Sequence, residues 1–92
     1  MLVKSNEWHA DLSAVIRPDQ RMNLVSLFGK NIRHYRLQKG MTQEQLAIKA
    51  SMERGYVSEL ERGIRNPTVD ALGRLAVALD VEPPKLLEPR AD

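Results

Sequence analysis

The segment TQEQLAIKASMERGYVSELERG, residues 42–63, carries two short apolar patterns at helical spacing with only a few residues between them. Thr42, with Gln45 three positions on, has the form of a capping box, so a helix starts there and turns Leu46 and Ala50 inward until about residue 50. Tyr56, Val57 and Leu60 mark one side of a next helix over about 53–61, and Gly63 stops it. Two helices joined so closely cross steeply, and the crossing limits side-chain size. Ala47 falls where the first passes over the second, and compact Val57 is its counterpart. Leu46, Ala50, Met52 and Leu60 complete the buried side. Ser51, in the turn, has to adopt a left-handed backbone, at a cost of ~1 kcal/mol for a residue with a Cβ.

The flanks extend the helical pattern. Phe28, Ile32 and Tyr35 predict a first helix over 24–39, ended by Gly40. Thr68 caps a fourth helix carrying Leu72, Leu75, Ala76 and Leu79. Glu82-Pro83-Pro84 opens a short fifth helix, from which Leu86 and Leu87 close the core. Strand signals are nearly absent, so the expected class is all-α: a five-helix domain over 24–88, then a frayed tail, with 89–92 outside the domain. Residues 1–23 form an N-terminal extension. Asn6 is placed to cap an extra helix in which Trp8, Leu12, Val15 and Ile16 make one apolar stripe, stopped by Pro18. Met22 offers an alternative start. An isolated amphipathic helix of this length is marginal in water, so that stripe needs a dimer mate or another partner to cover it.

Composition narrows the function. The 92 residues include no cysteine, which excludes disulfides and thiolate chemistry and suits a cytoplasmic setting. Aromatic residues make up only 4%, so the core is aliphatic. The longest apolar run, Leu75 to Leu79, is far too short to span a bilayer. The net charge of +2 is unevenly spread. Residues 24–65 carry eight basic and four acidic side chains, residues 66–92 three and five, and residues 1–23 three of each. Positive charge around the opening segment fits a polyanionic partner. No metal, cofactor or catalytic residue is expected: His9 and His34 lack a ligand partner at helical spacing, and neither a phosphate-binding glycine loop nor a nucleophile elbow is present.

Residues 42–63 followed by RNPTVDALGRLAVALDVEPPKLL resemble the lambda-repressor/Cro-like (XRE-type) helix-turn-helix regulators of bacteria and phages over about residues 24–87. Two glycines common in that family are replaced, by Ser51 in the turn and by Asp80 after the fourth helix. Asp enters the left-handed region more readily than most residues, so the fold is compatible with both.

The resemblance implies a sequence-specific regulator binding double-stranded DNA, with the third helix in the major groove. Arg54 is then the principal base reader, because a guanidinium binds guanine O6 and N7 together. Glu53, Tyr56, Ser58 and Glu59 share the base-facing side, Glu59 accepting from cytosine or orienting Arg54. Gly55 permits close approach of the backbone. Thr42, Gln43, Arg62, Arg65 and Asn66 are implied phosphate contacts, Gln43 also bracing the recognition helix. Arg36 and Glu61 match a family pair that forms an internal salt bridge. A domain of this size reads few base pairs, so a homodimer on two half-sites is expected. Two other readings overlap with this one. One is an antitoxin-type module that binds a protein partner through residues 1–20 and autoregulates its operon. The other is a restriction–modification controller, which the MERGYVSELERGIRNPT run also resembles.

Overall fold

The computed structural model describes residues 18–90. They form α1 (Pro18–Gln38), α2 (Gln43–Lys49), α3 (Arg54–Glu61), α4 (Val69–Leu79) and a closing 3-10 helix (Pro83–Leu87), with no strand among them. The all-α class and the order of five helical segments are as expected. The fifth is a 3-10 helix rather than an α-helix, opened by two prolines in its first turn.

One boundary differs. The first helix starts at Pro18, six residues before the expected position, so Pro18 opens a helix instead of stopping one. Proline is suited to a first helical position, because its φ is preset and its missing N–H has no partner there anyway. The 23/24 boundary between extension and domain therefore falls inside α1. The stripe of Trp8, Leu12, Val15 and Ile16 lies outside the described residues.

All four α-helices end the same way. Gly40, Ser51, Gly63 and Asp80 each have positive φ, between 57° and 75°. In each case the next residue's N–H reaches back to a carbonyl five positions earlier: Met41 to Arg36, Met52 to Ala47, Ile64 to Glu59 and Val81 to Ala76, all within 3.1 Å. These left-handed stops satisfy carbonyls that would otherwise be orphaned and turn the chain sharply enough for short connections. Ser51 and Asp80 do this without glycine, as expected. The capping box at Thr42 is complete, its hydroxyl accepting from Gln45 N–H and its own N–H donating to the Gln45 side chain. Thr68 likewise caps α4 at Ala71.

The core joins Phe28 and Ile32 of α1, Leu46, Ala47 and Ala50 at α2, Val57 and Leu60 of α3, Leu75, Ala76, Ala78 and Leu79 of α4, and Leu86. Met52 packs against it from a half-buried position. Leu86 closes the core as expected, but Leu87 points outward and is 42% exposed. Two further contacts fix how α1 sits. A Cβ built on Gly29 would lie 2.1 Å from the Leu60 carbonyl oxygen, so α1 and α3 touch backbone to backbone there. Asn31 is fully buried and donates to the carbonyls of Leu86 and Glu88, at 2.9 and 3.0 Å. Its own oxygen accepts from Arg90 Nε at 2.6 Å. The C-terminal segment is thus anchored to α1 as far as Arg90, rather than frayed from Glu88 onward. A buried amide needs its partners, and the carbonyls of the closing segment supply them.

Candidate nucleic-acid interface

The candidate recognition surface is built from the N-terminal turn of α3 and the start of α2. Glu53 occupies the N-cap of α3 with no side-chain cap hydrogen bond, so its carboxylate does not close the helix end. Arg54 is the first helical residue and is exposed, as are Glu53 and Gly55. A Cβ on Gly55 would meet nothing within 4 Å, so the face is open at this point. Tyr56, Ser58 and Glu59 are half-buried rather than exposed. Ser58 belongs to the flank of α3.

Arg54 is tied in at one corner only. Its Nη1 donates to Gln43 Oε1 at 3.3 Å, leaving its other N–H groups without a partner among the described residues. Gln43 Nε2 in turn donates to Glu61 Oε1 at 3.0 Å. Glu61 receives Arg36 in a two-point pair, Nε to Oε2 at 2.7 Å and Nη2 to Oε1 at 3.0 Å. These two side chains are 9% and 4% exposed, and Arg36 Nη1 also donates to the Met41 carbonyl at 2.8 Å. The pair fastens α1 to the C-terminal end of α3, in the planar two-point geometry that arginine favours. The implied internal salt bridge is present, and it is joined to the proposed base reader.

A second cluster surrounds Arg65. Its guanidinium lies 4.9 Å from the Tyr56 ring centroid and 3.2 Å from Glu59 Oε1. Tyr56 and Glu59 therefore engage Arg65, not Arg54, and Glu59 does not orient Arg54. Spacing along α3 could not reveal this, because the partner arrives from the loop beyond Gly63. Arg62, Arg65 and Asn66 are exposed along that loop, and Thr42 is exposed at the other edge of the surface. Arg74 is not among the expected site residues; it donates to the Ser51 carbonyl at 2.9 Å and pairs with Asp70 at 3.1 Å. It braces the turn ahead of α3 from α4. The i,i+4 spacing of Asp70 and Arg74 was the available signal, but it reports only the pair itself.

A helix-turn-helix family model matches residues 32–86. The control protein C.BamHI of Bacillus amyloliquefaciens is 42% identical over 67 residues, covering 72% of this chain and 83% of that one. The crystal structure of the restriction-modification controller protein C.AhdI from Aeromonas hydrophila superposes with a TM-score of 0.66 at 42% identity, covering 67% of this chain and 94% of that one. The hypothetical transcription factor NHTF from Neisseria superposes with a TM-score of 0.70 at 36% identity, over 72% of this chain and 76% of that one. The chain belongs to the XRE-type, lambda-repressor-like helix-turn-helix family, and it is a DNA-binding transcriptional regulator. No helix among the described residues is long and apolar enough to cross a membrane.

Proposed function

We propose that this protein binds double-stranded DNA sequence-specifically as a homodimer, each copy inserting α3 into the major groove of one half-site. Arg54 carries the reading. It stands exposed at the start of α3, held at one nitrogen and free to present the rest of its fork, beside a glycine that keeps the approach open. An arginine at a helix N-terminus opposes the helix dipole, so local stability does not account for it there. A bidentate contact with guanine does, since it discriminates by about 1–3 kcal/mol. Thr42, Gln43, Arg62, Arg65 and Asn66 frame the same face and suit phosphates on either side. The relatives named as control proteins favour one biological setting, the control of a restriction–modification operon in the cytoplasm.

Selection from random duplexes tests the reading. Wild type should recover a two-part consensus with a guanine in each half, and Arg54→Ala should lose that guanine while its melting temperature stays nearly unchanged. Recovery of the same consensus by Arg54→Ala would show that another residue reads the base. A restriction or methyltransferase gene beside this one, repressed or activated through the selected sequence, would establish the setting.

A further inference from the structure

We propose that Glu61, beyond its salt bridge to Arg36, is a positioning residue for base readout, acting through the side-chain amide of Gln43 on Arg54. The proposal rests on the assignment of Arg54 as the guanine reader. A carboxylate only accepts hydrogen bonds and a guanidinium only donates them. Gln43 stands between the two, 3.0 Å from Glu61 Oε1 and 3.3 Å from Arg54 Nη1. Only one sense of its amide satisfies both neighbours: Nε2 toward Glu61 and Oε1 toward Arg54. Turning the amide over would set oxygen against carboxylate and N–H against N–H. Glu61 therefore dictates that the group facing Arg54 is an acceptor.

Glu61 can hold this role because it is itself held in place. Arg36 grips both of its oxygens, and Arg36 is anchored at its third corner to the Met41 carbonyl. The relay runs from a buried ion pair to an exposed side chain at the opposite end of α3. An exposed arginine loses substantial rotamer freedom when it binds. Holding one nitrogen in place beforehand removes part of that loss for the one orientation in which the fork meets a base edge. The effect belongs to specificity, since a contact made only to phosphate would raise affinity for every sequence alike.

The measurement is the ratio of affinities for the selected consensus and for the same duplex with its guanines replaced, taken beside affinity for random DNA. Gln43→Met removes both hydrogen bonds on a side chain of similar length, and roughly a three- to tenfold fall in the ratio is expected. Glu61→Gln should lower the ratio similarly, and combining it with Gln43→Met should add little, as for residues acting in series. If Glu61→Gln does not fold, Glu61→Asp replaces it: the charge for Arg36 remains, but the shorter chain cannot hold Gln43 as well. The ratio then falls if the proposal holds. An unchanged ratio in Gln43→Met, with affinity lowered equally on all DNA, would make Gln43 a phosphate contact only and overturn the relay. An unchanged ratio in folded Glu61→Gln or Glu61→Asp would overturn the role of Glu61. Arg54→Ala is measured alongside. If it alone keeps the guanine preference, the reader assignment fails; if it loses that preference while Gln43→Met keeps it, only the relay fails.

Discussion

Ser51 sits at φ 57° in the turn between α2 and α3, a conformation in which its Cβ crowds the following carbonyl. Replacing it with glycine keeps the backbone hydrogen bonds at that turn, including the one Arg74 donates to the Ser51 carbonyl. Ser51→Gly should therefore stabilise the domain by about 1 kcal/mol, raising the melting temperature by about 4–8 °C. A fall in melting temperature would show that the serine hydroxyl contributes more than the strain costs. Gly29 and Gly73 make a sharper pair. Both lie inside helices, where alanine is normally better by about 1 kcal/mol. Gly73 has open space around it, so Gly73→Ala should stabilise by about that amount. At Gly29 the added methyl would meet the Leu60 carbonyl at 2.1 Å, and Gly29→Ala should destabilise by about 1–3 kcal/mol in thermal or urea unfolding. It should also weaken DNA binding, because the displaced element is α3.

At the scale of the element, α3 has two sides with different electrostatics. Its start offers Arg54, while its flank holds Glu59 engaged with Arg65, which in turn lies over Tyr56. The ion pair is largely solvent-exposed and is worth little to the fold, about 0–1 kcal/mol. On the proposed reading it matters more for DNA, since a phosphate contact would require Arg65 to give up Glu59. Glu59→Gln releases Arg65 and removes a carboxylate from the binding face, so it should raise affinity several-fold on DNA of any sequence. Loss of preference at a single base pair in that variant would instead make Glu59 a base reader. Arg65→Ala should weaken binding to all sequences about equally and flatten the dependence of log affinity on log salt by about one unit. An unchanged slope would remove Arg65 from the phosphate contacts.

For the whole molecule, one domain can cover only a half-site, and specific affinity calls for two. Sedimentation at micromolar concentration should show a dimer, or a dimer formed on the selected duplex. A monomer on a single half-site would overturn that expectation. Of the two leucines of the closing helix, Leu86 is committed to the core and Leu87 is exposed and available for such a contact. Removing residues 1–17, which leaves α1 intact from Pro18, should weaken the dimer if Trp8 and its stripe belong to the interface. Native Trp8 fluorescence should then be blue-shifted, and emission as in water would remove the stripe from that role.

Features that depend on near neighbours along the chain are legible in its residues alone. The caps at Thr42 and Thr68, the stops at Gly40, Ser51, Gly63 and Asp80, and the apolar stripes that form the core are all local in origin. Family resemblance added the Arg36–Glu61 pair and the exposed place of Arg54. Tertiary structure alone decided what depends on distant segments meeting. Gly29 is needed because Leu60 comes within a Cβ of it, the tail is held because Asn31 has to satisfy a buried amide, and Glu59 turns to Arg65 because the loop after Gly63 brings it there. Periodicity states which way a side chain points but not what it meets. Hydrogen-bond complementarity, unlike apolar burial, is settled by that meeting: an amide between a carboxylate and a guanidinium has one sense, and only the fold puts Gln43 between them.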